Sequence, residues 1–177
     1  MHTVCRFMIV LHSSWKSDED IGVVHGDIKP QNVLVFKDAI TRKTTVKVAD
    51  FGYSALTVGE SGTVFLPKSS PWNAPEHHFG GFEAHEAKKT DVYSFGILCL
   101  WVIFGPTLLE RLKDEDSAEH IANSLVESMP GLNVEYRFRL KEAFSLTLPH
   151  NPGNRTCDLA GVIGLLRQKQ LVSPWSI

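Results

Sequence analysis

The run Phe95–Phe104 (FGILCLWVIF) carries no charged residue and nothing more polar than Cys99 and Trp101. As a helix it would be about 15 Å long, roughly half the hydrocarbon thickness of a bilayer. A segment so apolar and so short is read as a buried core helix rather than a membrane span. Gly105-Pro106 gives it a firm stop, and Thr90 or Asp91 marks its start, so a helix is expected over 90–104.

The chain of 177 residues, 43% of them hydrophobic, suffices for one cored domain and not for two large ones. Its formal charge of −2 offers no basic excess for nucleic acid or an anionic membrane surface. Cys5, Cys99 and Cys157 are odd in number, widely spaced and without a CxxC pair, which suits free thiols in an intracellular, cytoplasmic or nuclear, compartment. The stretch Cys5–Leu11 is broken by Arg6 and followed by a poor cleavage site, so it is not read as a signal peptide.

Thr3–Ser13 reads as the end of a helix and Trp15–Gly22 as an acidic loop. Val23-Val24 begins a short strand. Asn32–Phe36 and Thr45–Ala49 are β-rich runs joined by the charged segment Lys37–Thr44, an antiparallel pair. Phe51–Ser70, rich in Gly, Ser and Thr, is expected to be a long loop. Leu108–Ser128, Val134–Leu146 and Thr156–Gln168 have helical character, separated by Pro-Gly and Asn-Pro-Gly breaks. A little β followed by mostly helix makes an α+β class with a dominant helical part.

Four short blocks carry chemistry. In His25-Gly26-Asp27-Ile28-Lys29-Pro30-Gln31-Asn32, a carboxylate and a carboxamide five apart on a tight loop can face one reaction centre. The carboxylate can accept a hydroxyl proton, the amide oxygen can bind a divalent metal, and Lys29 can offset phosphate charge. This is equipment for phosphoryl transfer, where positioning and electrostatics do most of the catalysis. Asp50-Phe51-Gly52 closes the second β-run and brings another carboxylate one hairpin away. Ala74-Pro75-Glu76 and Asp91-Val92-Tyr93-Ser94-Phe95-Gly96 follow. Each block is ordinary alone; the order and spacing of all four are not.

Together the blocks resemble the protein kinase family of the Ser/Thr class, from about Thr3 to Leu166. The resemblance implies the mostly helical C-terminal lobe of that fold, with a short β-hairpin at the active site, over residues 1–170 and a tail at 171–177. It implies ATP and Mg2+ as cofactors and proteins as substrates. Asp27 matches the aspartate that orients the acceptor hydroxyl, and Lys29 the lysine on the transferring phosphate. Asn32 and Asp50 match the magnesium ligands. Leu34 and Ala49 match residues beside the nucleotide, to which Lys29 and Asn32 also contribute. Glu76 matches a glutamate paired with a buried arginine, for which Arg155 is the expected partner. Asp91 matches the residue that anchors the catalytic-loop backbone, and Ser69 or Ser70 the hydroxyl that bonds the catalytic pair. His25 is expected to be a packed, hydrogen-bonded histidine rather than a proton carrier. His77, His78 and His85 lack the carboxylate or thiol spacing of a metal site, and Asp114–Asp116 reads as a solvated helix face.

Two departures from the family bear on function. Gly26 stands where many members carry an arginine that pairs with a phosphorylated loop. Activity is therefore expected to depend little on phosphorylation among Ser54, Thr57, Ser61, Thr63, Ser69 and Ser70. Before His25 the sequence holds part of one helix and no glycine-rich loop, strand-borne lysine or hinge, so the N-terminal lobe is expected to be absent and transfer by this chain very slow. A partly apolar face would then be left for a protein partner. A regulatory binding module without catalysis is the second reading. A small-molecule phosphotransferase of the aminoglycoside or choline type is the third, disfavoured by Ala74-Pro75-Glu76, Asp91–Gly96 and Arg155. No nucleic-acid or membrane partner is expected.

Overall fold

The apolar run lies in the helix α1, Ala84–Phe104, around which the other helices pack. The computed structural model describes residues 22–42, 44–57, 63–79, 81–112 and 117–166, with backbone alone at 22, 55–57, 78–79 and 84–85. The expected helix end at Thr3–Ser13, nearly all of the loop Trp15–Gly22, the run Asp114–Asp116 and the tail lie outside the described residues.

α1 begins six residues before the expected start, and the reason is local chemistry. Thr90 looks like a helix cap, but its hydroxyl donates to the Ala87 carbonyl within the helix, at 2.7 Å. Asp91 looks like one too, but its carboxylate accepts from loop N–H groups elsewhere. The start falls instead after Glu83, which caps without a side-chain hydrogen bond. At the other end Gly105 takes a φ of 82°, a left-handed value that suits glycine, and ends the helix as its position promised.

Val92, Phe95, Ile97, Leu98 and Leu100 of α1 are all buried. They share one core with α2 (Leu108–Arg111), α3 (Ala118–Ser128), α4 (Val134–Thr147) and α5 (Leu159–Leu166). Ser117 caps α3 by accepting from His120 N at 3.1 Å, and Asn133 caps α4 by accepting from Tyr136 N at 2.7 Å. The helical stretch expected over 108–128 is thus two helices, the second opened by its own cap. Gly96 sits where α1 crosses the end of α4: a Cβ there would fall 2.7 Å from Leu148 Cδ2 and from Thr147 Oγ1. The helix gives up roughly 1 kcal/mol of propensity at this glycine and gains the close approach. Among the described residues no helix is long and apolar enough to cross a membrane.

Among the described residues the strands form three antiparallel pairs. β1 (Gly22–Val24) pairs with β4 (Ala55–Thr57), β2 (Val33–Lys37) with β3 (Thr44–Val48), and β5 (Thr63–Val64) with β6 (Phe82–Glu83). β2 and β3 are the expected hairpin, its turn held by Asp38, whose Oδ1 accepts from Ile40 N, Thr41 N and Thr41 Oγ1. In β3 the alternation buries Val46 and Val48 against the helices, while β2 stays largely exposed. The segment Phe51–Ser70 corrects the expectation of an unbroken loop, since β4 and β5 both lie in it. Each is short and finds its partner far away in sequence, which local pattern does not reveal.

Candidate active site

The site is built on Asp91 of α1. Its Oδ2 accepts from His25 N at 2.7 Å and its Oδ1 from Gly26 N at 2.9 Å, so one buried carboxylate grips two successive backbone N–H groups of the loop. Bonds from N–H to a charged acceptor are stronger than neutral ones. They fix the loop to the buried part of α1. His25 completes the anchor. Its Nδ1 accepts from Asp27 N at 3.3 Å, which leaves Nε2–H as donor to the Ala49 carbonyl at 3.1 Å. Both ring nitrogens are engaged and the ring is wholly buried beside Phe51.

Asp27 follows directly and is buried. Its Oδ2 faces Lys29 Nζ at 2.7 Å and Asn32 Nδ2 at 3.1 Å, and Lys29 Nζ donates onward to Ser69 Oγ at 3.0 Å. Burial pushes the Asp27 carboxyl up. The hydrogen bonds from Lys29 and Ser69, the Lys29 charge and the Asn32 amide outweigh it and hold the group below its ordinary value. Asp27 Oδ1 is buried and has no hydrogen-bond partner among the described residues. An ionised, oriented oxygen with an open acceptor position is what a general base for a hydroxyl requires. Of the two serines expected here, Ser69 joins the cluster. Ser70 is exposed.

The β2–β3 register brings in the remaining groups. Val33 lies opposite Val48, and Ala49 N donates to the Asn32 carbonyl at 2.8 Å, so Asn32 and Asp50 stand at the same end of the hairpin. Asn32 Nδ2 also donates to the Asp27 carbonyl at 2.8 Å, which leaves its amide oxygen as the acceptor end. Asp50 adopts a left-handed φ of 65° and is exposed, with Oδ1 accepting from Gly52 N at 3.2 Å. An amide oxygen and one carboxylate are hard oxygen donors of the kind Mg2+ takes, completed by water and phosphate. The residues present therefore fit that ion. Leu34 is half-exposed on the outer face of β2, an apolar surface next to this end, and Ala49 is small and partly buried.

Glu76 and Arg155 form the expected pair, across which Nη1 meets Oε1 at 2.5 Å and Nη2 meets Oε2 at 2.8 Å. Sequence reasoning missed what surrounds it. The guanidinium lies 4.8 Å from the Tyr93 ring, and Lys89 Nζ donates to the Arg155 carbonyl. Burial, with Glu76 adding to it and Arg155 opposing it, pushes the Tyr93 phenol up to about 12. Also missed was Ser54, whose hydroxyl donates to the His25 carbonyl at 3.3 Å. No local signal marks these partners; Tyr93 becomes legible only once Asp91 is placed on α1, two residues before it. Among the histidines, His77 is buried with Nδ1 3.2 Å from the Ala74 carbonyl, while the side chains of His78 and His85 lie outside the described residues, as does Ser61.

The family model of the protein kinase domain matches residues 1–155. The chain is 32% identical over 126 residues to the L-type lectin-domain containing receptor kinase IX.2 of Arabidopsis thaliana, a match covering 69% of this chain and 17% of that protein. It is 34% identical over 110 residues to the serine/threonine-protein kinase CHK1 of Saccharomyces cerevisiae, covering 59% and 20%. With the dual specificity protein kinase shkD of Dictyostelium discoideum it shares 33% identity over 135 residues, covering 75% and 17%. The chain thus spans a fifth or less of the length of these relatives.

Proposed function

The chain belongs to the protein kinase domain family, and on that premise we propose that its site serves transfer of the ATP γ-phosphate to serine or threonine hydroxyls of proteins. The observation that carries this reading is the ion pair between Asp27 and Lys29 at 2.7 Å, closed by Ser69 and leaving Asp27 Oδ1 unpartnered. Asp27 Oδ1 would accept the proton of the acceptor hydroxyl as its oxygen attacks phosphorus. Lys29, partly exposed, would turn its charge to the phosphoryl oxygens. Asn32 and Asp50 would hold Mg2+, which neutralises phosphate charge when bound. Asp91 and His25 keep the loop from shifting during the step, and Leu34 with Ala49 offers an apolar seat to the adenine. Lysine at position 29 supports serine and threonine rather than tyrosine as acceptors.

The test is transfer of labelled phosphate from ATP to mixed protein substrates by the longest product that contains this chain. Replacing Asp27 by Asn should lower the rate by roughly 10²-fold or more, the scale of a positioned general base. Unchanged transfer in Asp27→Asn would overturn the assignment. A panel of aminoglycosides and choline should give no comparable transfer.

A second reading, a regulatory module that binds without transferring, is favoured by the exposed apolar row of β2, where Val35 is 66% and Phe36 50% accessible. Such a row suits burial against further protein. Magnesium-nucleotide binding with no transfer in the longest product would decide for it.

A further inference from the structure

The helix α4 buries Tyr136, Leu140, Ala143, Phe144 and Thr147 along one side. Its opposite side departs from the polar surface expected of such a helix. There Val134 is 83% and Phe138 67% accessible, although both are large and apolar. Four apart on a helix, they stand one above the other and form a continuous apolar ridge. Glu135 lies three residues before Phe138 and Glu142 four after it, so both edge this ridge. Arg139 pairs with Glu135, while Arg137 and Lys141 turn to Glu127 of α3. Glu142 therefore gives the edge its negative charge.

We propose that the segment Leu171–Ile177 of this same chain seats itself across Val134 and Phe138. The proposal does not depend on the phosphoryl-transfer reading. α5 packs along α4, and its lead-in is tied to that helix by Thr156 N, which donates to the Leu146 carbonyl at 2.9 Å. The chain therefore leaves Leu166 beside α4. The next four residues, Arg167-Gln168-Lys169-Gln170, reach roughly 13 Å when extended, about one helix diameter. That length carries the chain round to the outer side of α4, with Arg167 and Lys169 passing the Glu142 edge. Farther on, Pro174 disfavours a helix and favours extended backbone at Ser173. Alternate side chains of an extended chain share one side, which puts Leu171, Trp175 and Ile177 together. Trp175 and Ile177 would stand about 7 Å apart, and Val134 and Phe138 lie about 6 Å apart along their helix, so the two apolar pairs match in spacing. Each covers the other from water.

The experiment places a photo-crosslinking residue on the ridge of the full chain, as Phe138→benzoylphenylalanine, an exposed site where the change spares the core. After irradiation, peptide mass spectrometry should find position 138 joined to residues within Leu171–Ile177 of the same molecule. Ile40→benzoylphenylalanine, on a side chain 92% accessible, is the control and should join that segment several times less. Combining Leu171→Ser, Trp175→Ser and Ile177→Ser should abolish the crosslink at position 138. Joining of two copies through position 138 would assign the ridge to self-association and overturn the proposal. So would the absence of any crosslink there, equal yields from positions 138 and 40, or an undiminished crosslink in the triple serine variant.

Discussion

Arg155 spends all five of its N–H donors, and Glu76, 79 residues earlier, takes two of them. The others go to the carbonyls of Pro149 at 2.8 Å, Lys89 at 3.1 Å and His150 at 3.0 Å. The Arg155 side chain is wholly buried and that of Glu76 is 15% exposed. One guanidinium thus ties the 3-10 turn Pro75–Phe79 to α1 and to the loop that follows α4. Breaking a buried pair by removing one member leaves an uncompensated charge. Arg155→Leu should therefore cost about 3–5 kcal/mol in urea unfolding. Arg155→Lys should recover little, because an ammonium lacks the planar fork that reaches five acceptors.

Asp27 makes stability depend on pH. Its folded pKa lies below the unfolded value of 3.8. The folded state therefore binds fewer protons near that pH, and the contribution of the carboxylate is present above 3.8 and lost as pH falls through the folded pKa. Asp27→Asn cannot titrate. The stability difference between the native chain and Asp27→Asn should shrink as the pH of chemical unfolding is lowered from neutrality to below the unfolded value. A difference that stays constant over that range would show that Asp27 does not carry the effect.

Gly26 is constrained twice. Its φ is 79°, and a Cβ on it would fall 2.6 Å from Leu66 Cδ2. Gly26→Ala should destabilise the chain by about 1–2 kcal/mol, the scale of a left-handed conformation for an L-residue. Adding Leu66→Ala to Gly26→Ala removes the close contact and leaves the backbone term. The double-mutant cycle should therefore show positive coupling between the two positions without full recovery. The arginine that many family members carry here would meet the same backbone penalty in this chain.

Tyr136 is 1% exposed and its hydroxyl has no hydrogen-bond partner among the described residues. Burial, with Cys99 adding to it, pushes the phenol up, so the group is neutral and simply desolvated. Removing a buried polar atom that bonds to nothing relieves a cost of about 1–3 kcal/mol less the lost packing of one atom. Tyr136→Phe should raise the thermal midpoint, and a fall would reveal a partner such as bound water.

The hairpin, the buried helix and the order of the chemical blocks were legible because each is a local pattern. Val33–Lys37 and Thr44–Val48 are rich in β-branched and aromatic residues and joined by a turn that Asp38 caps from within. Helix starts were less legible. Thr90 and Asp91 have the chemistry of a cap, and only the fold reveals that one bonds back into its own helix and the other reaches the loop at His25. The choice between Ser69 and Ser70 was likewise open in sequence. The direction of the chain past Lys29 decides it.

By itself the sequence determined which groups are available: two carboxylates, an amide and a lysine at fixed spacing, an apolar segment that must be buried, and a glutamate and an arginine far apart. The tertiary structure decided which of these meet. Asp91 can grip His25 and Gly26 only because α1 runs beneath the loop, and Arg155 can reach Glu76 only because both lie against the same helix. Spacing along a chain sets local geometry over a few residues, whereas contacts across 65 to 79 residues exist only once the core has packed.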